Sequence, residues 1–223
     1  MAIRLLPFRQ YNEHDVINLF ALDDSQVTTI PSSVDNNGIS APEQNGKHDN
    51  GVLVRVKTCD LRKEPIEYGA ETYLGKTDYP HIGRNQYPKV PHTFVAAQAA
   101  DKDVFGVTLR QTLTHDENGE KLLYYPQKAL ELNAVFPGQA VPILTRGLIT
   151  VSAAGLGAGI SSSTTVGSDL YSDANGKFTT TDGNGSIVGK FLGFGDRAGV
   201  GTNPDYFAGD GSTGGYALVK LGL

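Results

Sequence analysis

The chain is 223 residues long, enough to bury roughly 70% of its unfolded surface in one or two ordinary cores without metal or disulfide staples. A formal net charge of −5 gives it no basic footprint, so direct nucleic-acid binding is disfavoured. One cysteine, Cys59, leaves no intramolecular disulfide, and no stretch reaches the ~18 consecutive apolar residues of a membrane span or carries a signal-peptide core, which predicts no membrane association and a protein made in a cytoplasm.

Taken in chain order, Asn12 with Asp15 three residues on, followed by Val16, Leu19 and Phe20, predicts one or two turns of capped helix. Residues 24–50 are rich in Ser, Thr, Asn, Gly and Pro without periodicity, which reads as an extended arm or loop. Residues 1–50 are therefore expected to form an N-terminal arm with a short helix. Val52, Val54 and Val56 then alternate along a strand, and Cys59 at its end is expected to be a small buried hydrophobe rather than a reactive thiol.

Residues 67–91 pack Tyr68, Tyr73, Tyr79 and Tyr87 among Pro80, Pro88 and Pro91. Prolines block both helix and central strand, so this stretch is expected to be an ordered irregular excursion or a contact surface. Four tyrosines there suit a protein–protein surface better than a stacking platform for sugar or nucleic acid. Residues 104–114 and 121–125 flank the turn residues Asp116-Glu117-Asn118-Gly119, which predicts a hairpin. Residues 51–136 thus read as a β-rich region interrupted by the Tyr/Pro excursion.

Composition changes at Gly138. From there on lie 19 of the 27 glycines, and every acidic residue is an aspartate. Both residue types favour tight turns over helix, so residues 137–223 are expected to form a Gly/Asp-rich β-barrel-like domain with almost no helix. Its short strands are predicted at 140–144, 148–151, 169–171, 177–180, 186–192 and 216–221. The fold class is mainly β: a small antiparallel β-barrel or sandwich with an extended N-terminal arm and long irregular loops.

Motifs that could carry chemistry read more simply as turns. Gly155-Leu156-Gly157-Ala158-Gly159 follows a predicted strand, but Ile160 stands where a dinucleotide-binding turn needs a small residue, and a Ser/Thr tract follows where a helix should start. Gly183 to Lys190 lacks P-loop spacing, and Phe191 replaces the hydroxyl that would hold magnesium. Asp169, Asp173, Asn175, Asp182 and Asn184 offer oxygen ligands, yet no glutamate closes a calcium loop, and Asn175-Gly176 and Asp182-Gly183 are hairpin-turn pairs. His14, His48, His81, His92 and His115 lack zinc-ligand spacing. Asp210 stands where a nucleophile elbow around Ser212 needs glycine, and His115-Asp116 reads as a solvated hairpin tip. Glu64, Glu67 and Glu71 could serve a glycosidase, but nothing pairs them across a cleft. No catalytic, cofactor-binding or metal-ligating residue is therefore assigned, and no cofactor is expected.

One resemblance runs through the last third. It is carried by Pro137-Gly138-Gln139-Ala140-Val141, Thr145-Arg146-Gly147-Leu148-Ile149-Thr150-Val151, Val166-Gly167-Ser168-Asp169-Leu170-Tyr171, Gly176-Lys177-Phe178-Thr179-Thr180, Ile187-Val188-Gly189-Lys190-Phe191-Leu192 and Ala217-Leu218-Val219-Lys220-Leu221. This order resembles small tailed-phage head decoration, or capsid cement, proteins, and residues 9–20 look similar to the start of phage virion proteins. The chain departs from compact members by its length and by a Gly/Asp-rich insertion at 193–215.

The resemblance implies a non-enzymatic virion protein on the outer surface of the head, assembled in the host cytoplasm, that clamps neighbouring major capsid proteins and itself forms a homotrimer. Under that reading the N-terminal segment reaches across the capsid or a neighbouring subunit to add a strand to an exposed edge. The expected capsid or subunit contacts are Ile3, Leu5, Leu6, Phe8, Tyr11, Tyr73, Tyr79 and Tyr87; the alternative for the apolar residues near the start is packing on the chain's own core. A competing reading is a tail, baseplate or fibre-associated module that binds a host surface.

Overall fold

Alternation decides the clearest strand. In Gly215–Gly222, Ala217, Val219 and Leu221 point into the core, and Lys220 and Gly222 lie exposed on the other face, the two-residue period of a strand with one buried side. The computed structural model describes residues 4–27, 34–35, 38–39, 47–59, 61, 90–116, 120–196 and 215–222. Its strands are β1 (Leu5–Gln10), β2 (Val16–Ile17), β3 (Ala21–Leu22), β4 (Val34–Asp35), β5 (Gly38–Ile39), β6 (Leu53–Thr58), β7 (Thr93–Ala96) and β8 (Val104–Thr108). They continue with β9 (Gln111–Thr112), β10 (Ala134–Val135), β11 (Ile143–Leu144), β12 (Arg146–Ser152), β13 (Asp169–Ser172), β14 (Phe178–Thr179), β15 (Gly189–Asp196) and β16 (Gly215–Gly222).

Two six-stranded sheets dominate, and the fold is mainly β. The first runs β1-β12-β16-β15-β13-β14. Its spine is the antiparallel pair β15–β16, in register from Gly189 opposite Leu221 to Asp196 opposite Gly215, with one bulge between Phe191 and Gly193. The second runs β2-β11-β8-β6-β7-β3 and curls into a half-barrel. Its two edge strands, β2 and β3, are near neighbours in the chain and both follow residues 140–144. Ile143 pairs with Ile17, the Val141 N–H donates to the Phe20 carbonyl at 2.9 Å, and Ala140 bridges Ala21. The curl therefore joins its own edges and leaves less open edge for foreign strands.

The principal core lies between the sheets. Leu5, Ile149, Val151, Leu170, Phe178 and Phe191 come from the first sheet, and Leu53, Val104, Val107 and Leu144 from the second. Each such side chain contributes about 1.5–3 kcal/mol by leaving water. Because successive residues face opposite ways, Val54 on the other side of β6 joins Phe20, Leu22, Phe94, Ala96 and Ile143 in a second core inside the curl. A third, smaller cluster of Leu113, Leu122, Ala129 and Ala134 sits under the helix α1 (Pro126–Glu131).

Several expectations are corrected. Asn12 does cap, its side chain accepting from the His14 N–H, but only a single 3-10 turn (Glu13–Asp15) follows. Val16 then leaves as a strand, because pairing with Leu144 and packing on the principal core outweigh a weak helical pattern. The predicted hairpin is closed only at its tip, where His115 bridges Lys121. Its first strand pairs instead with β6 and β11, while residues 122–124 wind into a 3-10 turn ahead of α1. Pro126 opens that helix at its first turn, where a missing N–H costs nothing. Cys59 is exposed rather than buried, since β6 already leaves the core at Lys57. The expected N-terminal arm is, over β1, part of the body: it lies antiparallel on β12.

Candidate functional site

β1 is an edge strand with an irregular middle. Leu5 faces Val151 and Arg9 faces Ile149, so Leu6, Pro7 and Phe8 together bulge opposite Thr150. Pro7 removes a donor from this edge, and the Arg9 Nε–H donates to the Leu6 carbonyl at 2.9 Å, occupying an acceptor. Both features hinder the addition of another strand. The bulge throws Phe8 outward, leaving it 64% exposed, and Tyr11 just beyond is 39% exposed. Tyr11 is seated over Gly147, where an added Cβ would lie 2.6 Å from the Tyr11 Cβ and where φ is +148°.

The expected contact residues therefore divide. Phe8 and Tyr11 are both exposed, one on β1 and one just after it. Leu5 and Leu6, at 2% and 9% exposure, are corrected: they cannot meet a partner without unpacking their own core, as a strand anchored by burial requires. Ile3, Tyr73, Tyr79 and Tyr87 lie outside the described residues, as do Tyr68, Glu64, Glu67, Glu71 and the stretch 210–214. A second exposed group, Tyr124, Tyr125 and Leu130 around α1, was masked in the sequence by the strand reading of 121–125. Its signal is Pro126 behind two tyrosines, a helix start rather than a strand.

Beneath the start of β1 lies a buried ionic hub. Arg4, His48 and Asp49 are all nearly inaccessible. The Arg4 Nε is 3.5 Å from Asp49 Oδ2 and the His48 Nε2 is 3.7 Å from Asp49 Oδ1. The turn carrying His48 and Asp49 is pinned on every side: Thr112 N–H donates to the His48 carbonyl at 2.9 Å, Thr108 Oγ1 donates to the Asp49 carbonyl at 2.9 Å, and Leu5 N–H donates to Asn50 Oδ1 at 3.2 Å. Arg4 Nη1 reaches the Asn175 carbonyl at 3.5 Å, and the Arg4 carbonyl accepts from Ser152 N–H at 2.8 Å. Burial pushes the Arg4 pKa down, opposed by the charges of Asp49 and Asp173. Burial, reinforced by the Arg4 charge, lowers that of His48 to about 4, so its imidazole is neutral at ordinary pH.

The remaining motif residues hold loops. Asp173 Oδ1 accepts the N–H groups of Asn175 and Lys177, each at 2.8 Å, and Gly176 takes φ +64° to close that turn. Asp182 Oδ1 accepts from Asn184 N–H at 2.8 Å, and Asp169 is paired with Lys190. Gly157 N–H donates to the Phe178 carbonyl at 2.6 Å, so the glycine run covers the outer edge of β14. His115-Asp116 is less solvated than expected: Asp116 is buried and its Oδ1 accepts from Glu120 N–H at 2.8 Å, tying the tip shut. In the half-barrel, burial pushes the Asp23 carboxyl up, but hydrogen bonds from Ser25 and Lys57 outweigh it and hold it below its ordinary value. No family model, curated protein or solved structure matches the chain.

Proposed function

We propose that the protein is a non-enzymatic virion structural protein that binds the outer surface of a tailed-phage head and clamps neighbouring major capsid proteins. The observation that carries this reading is the exposure of two aromatic side chains, Phe8 on the edge strand β1 of a two-sheet body and Tyr11 just after it. The same sheet contains β12, β13, β15 and β16, the strands in which the resemblance to decoration proteins lies. Aromatic side chains on rigid backbone give large contact area with little ordering entropy. Repeated subunits bound to one lattice, as a homotrimer at a local three-fold junction would be, gain further strength through effective concentration.

Deleting the first strand would expose the principal core, so point substitutions probe the contact more cleanly. Heads lacking the protein, mixed with it and sedimented, are expected to retain the wild-type chain and to lose at least ~10-fold of the attachment with Phe8→Ala plus Tyr11→Ala, since interface anchors of this kind carry about 1.4 kcal/mol or more each. Unchanged attachment would remove this edge from the mechanism. Imaged particles carrying the protein at the neck or tail would replace the head reading with the tail-module one.

A further inference from the structure

We propose that Arg4, His48 and Asp49 form an acid-opened latch that holds β1 against the half-barrel sheet and releases it when His48 takes a proton. The inference rests on the hub and stands whether or not the protein decorates a capsid. Among the described residues β1 has one strand neighbour, β12, and its pairing is interrupted for three residues. Its N-terminal end is secured instead by the turn 47–51, through Asn50 on the Leu5 N–H and Asp49 beside Arg4. That turn belongs to the second sheet's side of the molecule, where Gly51 N–H donates to the Thr108 carbonyl at 2.7 Å. Parting the turn from Arg4 therefore frees the start of β1 and leaves Leu5, Leu6 and the pairing with β12 as its remaining anchors, while β12 and β16 stay paired over seven residues.

Burial of His48 beside the Arg4 charge sets the direction of the response, and the charged groups near it among the described residues are these. Arg4 faces it from the start of β1, Asp49 from its own turn, and Asp173 acts on Arg4 from the turn between β13 and β14. β9 contributes Gln111 and Thr112, which carry no charge. Among the described residues the carboxylate nearest both groups is that of Asp49, and a second positive charge beside the buried guanidinium would be held away from water. Opening the turn hydrates both, so protonation favours the open form.

The test is amide hydrogen exchange on the full chain from pH 7 to pH 4, expressed as protection relative to the intrinsic rate at each pH. Amides of β1, and that of Ser152, which donates to Arg4, are expected to lose about 100-fold of their protection across this range, the change that follows when a histidine moves between its buried and solvated affinities. Val219 and Leu221 in β16 follow global unfolding, which the same titration eases, and are expected to stay better protected than β1 at every pH. They should exchange faster with added urea, whereas β1 exchange should be nearly independent of urea below the unfolding transition. His48→Gln is expected to flatten the profile of β1, and His48→Phe serves the same end if the glutamine variant does not fold. Constant protection of β1 in the wild-type chain, β1 exchange that rises with urea as steeply as that of β16, or a variant that keeps the wild-type response would each overturn the latch.

Discussion

The β15–β16 hairpin and strand β1 belong to one sheet but are held there by different means. The hairpin is paired along its length with one single-residue bulge, and its glycines near the far end are covered across the strands: a Cβ on Gly195 would strike the Tyr216 ring, and one on Gly215 the Phe194 ring. β1 is bulged, edges the sheet, and depends on Leu5, Leu6 and the ionic hub. Pairing between strands that face each other at seven positions is self-supporting. A short edge strand is secured by whatever its side chains meet, and here they meet residues more than forty positions away.

That contrast can be broken by experiment, beginning where the effect is largest. Phe191→Ala, in the hairpin and facing the principal core, is expected to lower stability by about 3–5 kcal/mol, and Leu5→Ala, in β1, by about 2–4 kcal/mol. Urea unfolding measures both, and exchange should show the second variant fraying at β1 before the hairpin loses protection. Equal loss at both places would mean the two elements open as one unit.

Acid acts next. His48 titrates at about 4 in the folded chain against about 6.5 when solvated. A depressed histidine contributes stability that is complete above pH 6.5 and is lost as pH falls toward 4, by at most about 3 kcal/mol. The difference in unfolding free energy between wild type and His48→Gln should shrink over that window and stay flat above it.

Glycine substitutions sharpen the same comparison at the turn that supports Arg4. Gly176→Ala combines φ +64° with a Cβ placed 2.5 Å from the Leu53 carbonyl oxygen, and should cost about 2 kcal/mol or more. Gly167→Ala, at φ +90° but in open space, should cost only about 1 kcal/mol of backbone strain. Thermal melts that ranked them in reverse would show that the close approach to Leu53 is not what limits the first. Least of all, Lys190→Ala removes a half-exposed pair with Asp169 and should change stability by no more than ~0.5 kcal/mol.

Much of the first sheet was legible because its signals are local. The turn-rich composition placed a strand at 216–221, Asn175-Gly176 reads as a turn, and after the shift at Gly138 the described residues hold no α-helix. β1 carried no such signal. Its apolar residues predict burial somewhere, but whether against this chain or another depends on β12, more than a hundred residues later. The hub was hidden for the same reason: Arg4 and the His48-Asp49 pair are each unremarkable in sequence and acquire meaning only when the sheets bring them together. The helix α1 was overlooked because six residues give too short a period to compete with a hairpin pattern, although Pro126 offered a start.

The order of strands in the first sheet has a bearing on how the chain is made. β16, the last of the six to leave the ribosome, lies between β12 and β15. Until it emerges, those two have no common neighbour, and their inward faces, with Ile149, Val151 and Phe191, belong to a layer that is not yet joined. The half-barrel, whose strands end at Leu144, can form earlier during translation. Synthesis thus passes through a stage in which one layer is built and the other waits, a period when a chaperone or a nearby nascent copy would find greasy strand edges to grip.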